Sequence, residues 1–300
     1  MNKAYIILAH KNAMQVKRLV NQLDDHRSAF FIHVDSKAGP QSFKAVVNEA
    51  NHITYVKSLD THWGGLTLVT ATLNAMTQIK ATGRNFERVI LLSGQDYPIK
   101  SNEEIDQYFK TSPYKVFMDH FPLPNYPKWA TNGGMYRVNK YYFGLAWHYK
   151  YAAKITNFLA MFISPLRRKL PNGMNPFAGS QWWIMDMPAV SYVLNFVERN
   201  PHYTRFHKYT FAPDELFFQM ILLNSADQQI KASISADHLR FMKWESSATA
   251  HPEILRKNDF NAINNSAALF ARKFDENEDP EILDMIDEQL LTSKIGSNNE

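Results

Sequence analysis

The stretch Val89-Ile90-Leu91-Leu92-Ser93-Gly94-Gln95-Asp96-Tyr97-Pro98-Ile99 carries the strongest signal for the fold of this 300-residue chain. Its opening run of aliphatic residues is typical of a strand that is buried on both faces of a parallel sheet. A polar run follows directly, and ligands of open α/β sheets bind beyond the carboxyl ends of the strands. Asp96 is therefore a candidate to hold a hydroxyl of a donor or an acceptor, and an ordinary turn residue is the alternative.

Strand and helix patterns alternate around this stretch. Apolar runs predict further strands at 5–8, 30–34 and 53–56, and apolar residues at helical spacing predict helices at 13–23, 43–50 and 66–79. This alternation favours a doubly wound α/β fold with a mostly parallel central sheet. Two of the strands end at His10-Lys11 and at His33-Val34-Asp35, so these residues are candidates for the same ligand site.

The middle of the chain is predicted to be less regular. Residues 121–176 are rich in Pro, Tyr, Trp and Asn, which predicts a loop-rich insertion with one helix over 151–163. A strand over 181–185 follows, then a helix that begins near Pro188 and another that begins after Glu215.

The end of the sequence predicts a C-terminal helical extension. Asp279 is placed as an N-cap and Pro280 as the first helical residue, with apolar residues on one face beyond them. We expect a single domain over 1–275, a helix over 276–292 packed on it, and a disordered tail over 293–300.

Composition argues against several kinds of protein and site. The chain has no cysteine, which excludes disulfides and thiolate metal sites and favours a reducing cytoplasm. A net charge of +4 without a long basic run argues against nucleic-acid binding and suits a site that holds a diphosphate. No apolar run approaches the ~20 residues that span a bilayer, so we expect a soluble or peripheral protein. Glycine-rich phosphate loops, HExxH, Gly-x-Ser-x-Gly and a strand-end Asp-x-Asp are absent from the sequence.

Two loops carry candidates for nucleotide binding. Asp35 closes the second strand, where its carboxylate can accept hydrogen bonds from a ribose or a uracil, and capping of its own loop is the alternative. His62-Trp63-Gly64-Gly65 leads into a predicted helix. Its glycines allow close approach of the backbone to a ligand, and a helix N-terminus favours a negative group.

A third candidate segment, Gly179-Ser180-Gln181-Trp182-Trp183, opens the strand predicted at 181–185. Alternate residues of a strand face opposite ways, so we expect one of the two tryptophans in the core. The other is a candidate platform for a sugar or a wall of the donor pocket.

Phe211-Ala212-Pro213-Asp214-Glu215-Leu216-Phe217-Phe218 is the segment most relevant to catalysis. The structural interpretation is that Asp214 caps the next helix and Glu215 interacts favourably with the helix dipole. The functional interpretation is that Glu215 is a general base, because a carboxylate at the edge of an apolar pocket suits that role.

Leu269-Phe270-Ala271-Arg272-Lys273-Phe274-Asp275 places two cations between aromatic residues. A pyrophosphate leaving group needs positive charge, which Arg272 and Lys273 can supply where no metal is bound. An exposed helical position is the alternative for Lys273.

Taken in order, these segments resemble the Core-2/I-branching family of glycosyltransferases, which also includes the peptide O-xylosyltransferases. The matching segments extend from residue 5 to residue 275 and are Ile7-Leu8-Ala9-His10-Lys11, Phe31-Ile32-His33-Val34-Asp35-Ser36-Lys37, Trp63-Gly64-Gly65, Leu92-Ser93-Gly94-Gln95-Asp96-Tyr97-Pro98-Ile99-Lys100, Gly179-Ser180-Gln181-Trp182-Trp183, Pro213-Asp214-Glu215, Arg240-Phe241-Met242-Lys243-Trp244 and Phe270-Ala271-Arg272-Lys273-Phe274.

The resemblance implies a GT-A-type fold, a UDP-sugar donor, inversion at the anomeric carbon and no divalent metal ion. It implies that Glu215 is the catalytic base, Asp35 contacts the nucleotide, Lys273 meets the diphosphate and Trp244 lies near the acceptor. We add further candidate residues from the neighbouring sequence. The candidates for binding the donor are His10, Lys11, Trp63, Gly64 and Arg272. The candidates for binding the sugar and the acceptor are Asp96, Ser180, Trp182 and Asp214.

The sequence departs from the family pattern in two respects. The branching enzymes pair the diphosphate lysine with an upstream arginine, and that position falls on Ala250 here, with His251, Arg256 or Lys257 as substitutes. The membrane anchor, stem and disulfides of the animal enzymes have no counterpart in this sequence. This favours a bacterial, cytoplasmic enzyme that acts on an oligosaccharide or lipid-linked glycan, with peripheral contact at the inner membrane face as a further possibility.

Several alternatives stay open. UDP-GlcNAc is the expected donor and UDP-xylose the alternative. A non-catalytic carbohydrate-binding relative is a second functional alternative, favoured by Ala250. Arg167-Arg168-Lys169 follows an apolar helix and is interpreted either as a contact with anionic lipid or as a solvated loop.

Overall fold

The computed structural model describes residues 1–245 and 251–292. The predicted tail over 293–300 and the expected arginine position at Ala250 lie outside these residues. The chain divides into two compact units. The first comprises Met1–Ser58, Asn85–Pro113 and the described part of Leu239–Glu300, and the second comprises Leu59–Arg84 and Tyr114–His238. The domain boundaries expected from sequence stay a prediction.

The strands are β1 (Lys3–Ala9), β2 (Ala29–Val34), β3 (Ile53–Val56), β4 (Arg88–Ser93), β5 (Asp96–Pro98), β6 (Val116–Met118), β7 (Phe121–Pro122), β8 (Phe177–Ala178), β9 (Trp183–Met185), β10 (Ile234–Ser235), β11 (Arg240–Met242) and β12 (Phe270–Arg272). The helices are α1 (Ala13–Leu23), α2 (Pro40–Val46), α3 (Thr67–Ala81), α4 (Asn102–Thr111), α5 (Tyr136–Asn139), α6 (Trp147–Phe162), α7 (Met187–Arg199), α8 (Pro201–His207), α9 (Phe217–Leu223), α10 (Gln228–Ala232), α11 (Phe260–Asn264) and α12 (Glu281–Ile286).

The first unit is built on a parallel sheet with the strand order β4-β1-β2-β3. Every residue of β1, β2 and β4 is buried, as the aliphatic runs in the sequence predict for strands covered on both faces. Helix α1 buries one apolar stripe, Val16, Leu19, Val20 and Leu23, at helical spacing. The expected α/β fold with a mostly parallel sheet is confirmed.

A small second sheet completes the first unit. Its order is β11-β12-β5, with β11 parallel to β12 and β12 antiparallel to β5. The pairing sets Arg272 opposite Asp96. Lys273 therefore follows a strand, and the alternative that placed it in a helix is not observed.

The second unit contains β6 between β10, to which it is parallel, and β9, to which it is antiparallel. A two-stranded pair, β7 and β8, lies in the segment predicted to be loop-rich. Helix α6 begins at Trp147, four residues before the predicted start. Arg167, which follows the helix in sequence, donates hydrogen bonds to the carbonyls of Ala160 and Met161.

The C-terminal helix forms close to its predicted position. Helix α12 begins at Glu281, one residue later than expected, and the Asp279 carboxylate accepts a hydrogen bond from the Ile282 amide. Apolar residues of α12 are buried, and a π-helical turn, Asp287–Leu291, extends it. Arg18 of α1 donates to Asp287, which also accepts from the Tyr97 hydroxyl at 2.7 Å.

A buried ion-pair cluster fixes the start of β1. Lys3 is fully buried, and its ammonium donates to Asp25 at 2.9 Å and to Asp106 on α4. Burial favours a raised pKa for Asp106, but the hydrogen bond and the charge of Lys3 outweigh it and hold this pKa below its usual value. The Asp106 carboxylate therefore contributes stability above about pH 4 that is lost as the pH falls through the folded-state pKa.

Replacing Asp106 with asparagine is expected to lower the free energy of unfolding by about 3 kcal/mol at neutral pH, because Lys3 then keeps a buried charge with one carboxylate fewer. Urea unfolding followed by circular dichroism measures the loss. Glu103→Gln, at an exposed site on the same helix, is the control and should cost less than about 1 kcal/mol. Equal losses in the two variants would contradict a stabilising role for the cluster.

Candidate functional site

In the first unit, three loops meet at the carboxyl edge of the parallel sheet. The Asp35 amide donates to the Ala9 carbonyl at 2.8 Å, and the Gly94 amide donates to the Leu8 carbonyl at 2.9 Å. The loops after β1, β2 and β4 are thereby joined by main-chain hydrogen bonds. This is the edge at which the sequence places a ligand site.

A group of cations lies at this edge. The imidazole of His10 lies within electrostatic reach of Lys11, Arg272 and Lys273, and also of Asp35. Partial desolvation lowers the pKa of His10, and the three positive neighbours lower it further. The structure thus brings Asp35 together with four residues predicted to bind the donor, namely His10, Lys11, Arg272 and Lys273.

The pKa of Lys273 is lowered from its usual value. Desolvation is the main cause, and repulsion from Lys11 and Arg272 adds to it, while Asp275 acts in the opposite direction. Lys11 itself forms an ion pair with Asp275. An anion with several oxygens would relieve this repulsion, so the cluster suits a phosphate or diphosphate group.

Glutamine side chains hold the Lys273 segment in place, a feature that the sequence analysis missed. Gln15 of α1 donates to the carbonyls of Gly94 and Phe274, at 2.9 and 3.2 Å. Gln95 exchanges hydrogen bonds with Phe274, through its main-chain carbonyl at 2.9 Å and its side-chain amide at 3.0 Å. No local motif marks a glutamine for such a contact, because its partners are distant in sequence.

Asp96 is fully buried and its carboxylate is engaged by protein groups. Its oxygens accept from the Ser93 amide and the Ser93 hydroxyl, both at 3.0 Å, and one lies 3.4 Å from Arg272 Nε. Asp96 therefore orders the turn after β4 and fixes Arg272. Its contact with a sugar hydroxyl stays a prediction.

Asp35 is a loop cap in this structure. One carboxylate oxygen accepts from the Lys37 amide at 2.8 Å, and the other lies 3.5 Å from the Lys37 ammonium. The alternative that Asp35 caps its own loop is thus observed. The Asp35 side chain is buried and lies near His10. Nucleotide contact by Asp35 stays a prediction.

Two of the three proposed substitutes for the missing arginine have other partners. Arg256 pairs with Glu278 and Lys257 pairs with Glu281, both at 2.9 Å and on exposed side chains. Trp244 follows β11 and is 46% exposed, which leaves its indole accessible. Of the cations considered, Lys11 is the one that acts electrostatically on Lys273 together with Arg272.

In the second unit, Glu215 lies on a short strained turn. Ala212 adopts a positive φ of 48°, which is unusual for alanine, and Pro213–Glu215 forms a single 3₁₀ turn before α9. The side chain of Asp214 makes no capping hydrogen bond, so the structural interpretation of this segment as a helix cap is not observed. Strain of this kind is often found at functional sites.

Arg137 forms an ion pair with Glu215, and this partner was missed from sequence. Arg137 donates through Nη1 to Oε2 of Glu215, whose side chain stays 35% exposed. The guanidinium is buried and lies over the ring of Trp129, 3.9 Å from its centroid, with Phe211 at 5.4 Å. Arginine stacked in this way has few free rotamers, so it fixes the orientation of the Glu215 carboxylate.

Asp214 is buried next to this pair. Burial raises the pKa of Asp214 to about 7, and the neighbouring charge of Glu215 adds to the effect. Its Oδ1 is buried without a hydrogen-bond partner among the residues that the structure describes. An acceptor hydroxyl is one group that would satisfy this oxygen.

The Gly179 segment packs directly against the Glu215 turn. The Gly179 amide donates to the Glu215 carbonyl at 2.9 Å, and the Ser180 carbonyl accepts from Gln219 of α9 at 2.7 Å. Trp182 and Trp183 are both buried, so neither is an open platform. The expected core tryptophan is Trp183, which is fully buried against Phe218.

Trp63 and Gly64 also contact the segment that leads to Glu215. The Trp63 ring meets Phe211 edge-on with a centroid distance of 5.4 Å, and the Gly64 carbonyl accepts from Ala212 at 2.9 Å. A Cβ on Gly64 would lie 2.9 Å from Phe211, and its φ is 76°. Both residues therefore belong to the second unit, and their assignment to the donor stays a prediction.

Within residues 1–245 and 251–292, no group of three or more His, Asp or Glu side chains is placed to hold a metal ion. The predicted independence from metal ions stays a prediction.

The chain resembles characterised sugar transferases over most of its length. The family model described as "Branch: Core-2/I-Branching enzyme" matches residues 3–264. Xylosyltransferase 2 of Rattus norvegicus is 25% identical over 97% of this chain and 34% of its own length. Beta-glucuronosyltransferase GlcAT14B of Arabidopsis thaliana is 25% identical over 98% of this chain and 67% of its own length. A mouse beta-1,3-galactosyl-O-glycosyl-glycoprotein beta-1,6-N-acetylglucosaminyltransferase 4 is 22% identical over 96% of this chain and 65% of its own length. The chain spans about a third of the length of xylosyltransferase 2.

Gly179→Ala is expected to destabilise the protein by about 3 kcal/mol or more, because a Cβ at this position would lie 1.8 Å from the Asp119 carbonyl oxygen. Gly83→Ala is the control, since Gly83 has a positive φ but no atom within 4 Å of the added carbon. That change should cost only about 1 kcal/mol of backbone strain. Thermal unfolding of both variants tests the difference, and similar melting temperatures would contradict the close packing of Gly179.

Proposed function

This chain belongs to the Core-2/I-branching enzyme family, and on that premise we propose that it is an inverting glycosyltransferase that uses a UDP-sugar. The observation that supports this best is the cluster of Lys11, Arg272 and Lys273 at the carboxyl edge of the parallel sheet. A UDP-sugar carries two phosphates, and their charge is the complement of this cluster.

The donor is assigned to the first unit. Lys273 meets the diphosphate. Lys11, which also pairs with Asp275, is assigned as the second cation because it acts electrostatically on Lys273. Arg272 lies 3.4 Å from Asp96 and adds positive charge. These side chains stabilise the departing UDP by charge neutralisation, and no divalent metal is required for that step.

The acceptor base is assigned to Glu215 in the second unit. Its Oε2 is occupied by Arg137, which leaves Oε1 to receive the proton of an acceptor hydroxyl. As the hydroxyl oxygen bonds to the anomeric carbon, the bond from that carbon to UDP breaks and the configuration inverts. Positioned proton transfer of this type contributes typically 10²–10⁴-fold to the rate.

The donor sugar and the acceptor are the remaining parts of this proposal. The relatives are named for xylose, glucuronic acid and N-acetylglucosamine, so they agree on sugar transfer and differ on the sugar. We assign UDP-GlcNAc as the donor, UDP-xylose as the alternative, and an oligosaccharide or lipid-linked glycan in the cytoplasm as the acceptor. A carbohydrate-binding relative without catalysis would bind UDP-sugars and release no UDP.

Glu215→Gln is expected to lower kcat by roughly 10²–10⁴-fold while the affinity for UDP stays within about twofold of wild type, because the amide cannot take up a proton. Glu198→Gln, exposed in the same unit, is the matched control and should keep wild-type turnover. Turnover is measured as UDP release with the preferred donor. Wild-type kcat in Glu215→Gln, with a loss in Asp214→Asn instead, would move the role of base to Asp214.

Lys273→Ala is expected to weaken UDP binding by roughly 10–100-fold in buffer containing EDTA, because one charge-assisted contact to phosphate is lost. Thermal shift and calorimetry with each common UDP-sugar measure the affinity and identify the donor. Lys257→Ala is the control, since that side chain is exposed and paired with Glu281. Binding by the wild type that appears only after addition of manganese would contradict the metal-free assignment, and unchanged affinity in Lys273→Ala would contradict the role of Lys273.

A further inference from the structure

Helix α6 of the second unit turns its large apolar side chains toward solvent. No residue of α6 is buried. Its exposed face carries Trp147, Tyr151, Ile155, Phe158 and Phe162, which are spaced so that they form one stripe along the helix. Trp147 is 79% exposed and Phe162 is 71% exposed, and Phe158 contacts Phe162 with a ring-centroid distance of 5.3 Å.

The opposite face of α6, which is directed at the protein, is small and polar. Ala153, Asn157 and Ala160 are less exposed than the aromatic stripe. Asn157 anchors the helix, since it accepts from the Tyr141 amide at 2.7 Å and donates to the Tyr141 carbonyl at 3.0 Å. An ordinary surface helix buries its apolar stripe against the protein. Helix α6 instead exposes its apolar stripe to solvent and turns its small and polar face to the protein.

Such a face is unfavourable in water, and contiguous exposed apolar surface of this kind marks an interaction site. The charges around it identify the partner. No Asp or Glu occurs between Asp119 and Asp186. Lys150 and Lys154 flank the stripe on the helix, and Arg167 and Lys169 follow its C-terminal end, all with exposed side chains.

We propose that α6 lies in the plane of a membrane surface, with its aromatic stripe in the boundary between headgroups and acyl chains and its cations on anionic lipid headgroups. Tryptophan and tyrosine favour that boundary because their rings are apolar and carry one polar group. A basic amphipathic helix with aromatic residues on its apolar face has the composition of interfacial helices. Among the described residues no helix is long and apolar enough to cross a bilayer, so α6 is assigned to the surface of the membrane.

This inference does not depend on the proposed sugar transfer, because it concerns binding to lipid and uses residues outside the candidate site. If the acceptor is a lipid-linked glycan, surface attachment would bring the enzyme to its substrate. Failure of either proposal leaves the other intact, since one is tested by vesicle binding and the other by UDP binding and turnover.

Flotation of the full chain with vesicles tests the proposal. We expect the protein to float with vesicles of phosphatidylcholine mixed with phosphatidylglycerol and to stay behind with phosphatidylcholine alone. Phe158→Ser and Phe162→Ser should each weaken binding about tenfold, and Lys150→Glu with Lys154→Glu about 30-fold or more. Met14→Ser removes a comparably exposed side chain from α1 and should bind like the wild type.

A fluorescent label provides a second measurement that does not rely on weakened variants. The chain has no cysteine, so a single introduced cysteine is labelled selectively. An environment-sensitive dye on Ile155→Cys should shift its emission to the blue when anionic vesicles are added, whereas the dye on Thr77→Cys, exposed on α3, should not.

Three results would overturn the proposal. The first is the absence of flotation with anionic vesicles, together with an unshifted dye at residue 155. The second is equal binding to neutral and anionic vesicles, which would remove the role of the cations. The third is a dimer of the wild type in solution that Phe158→Ser with Phe162→Ser abolishes, which would show that a second copy covers the stripe.

Discussion

The antiparallel pairing of β5 with β12 is the constraint on which the first unit depends. It sets Arg272 opposite Asp96 and brings a segment from near the end of the chain to the loops that follow β1 and β4. Together with the hydrogen bonds that Gln15 and Gln95 make to Phe274, it places Lys273 near Lys11 and His10. The buried carboxylate of Asp96 makes this arrangement stable, because an arginine that is almost fully enclosed needs a negative partner.

The turn that carries Glu215 is held by a different kind of constraint. Ala212 adopts a left-handed conformation, and the Gly179 amide donates to the Glu215 carbonyl. Arg137 stacks on Trp129 and donates a hydrogen bond to the Glu215 carboxylate. Each contact restricts one part of the turn. A carboxylate restrained at both its main chain and its side chain is pre-organised, which is what efficient proton transfer at a single atom requires.

The sequence was informative where signals are local. Aliphatic runs identified β1, β2 and β4, helical spacing located α1, and the ordered motifs identified the family. Contacts between distant residues were beyond its reach: nothing near Arg137 marks it as the partner of Glu215, and nothing near Gln15 marks it as a support for Phe274. The outward face of α6 was missed for a related reason. An apolar stripe at helical spacing predicts an amphipathic helix, but which side faces solvent depends on the neighbours that the fold supplies.

The interleaving of the two units has a consequence for the order of events during synthesis. The second unit is completed once residue 238 has left the ribosome, whereas the first lacks β11, β12 and α12 until residues 240–286 emerge. Until β12 emerges, β5 lacks the strand with which it pairs, and an unpaired strand edge can pair with other chains. During synthesis, Lys273 therefore reaches its place only after β12 has paired with β5.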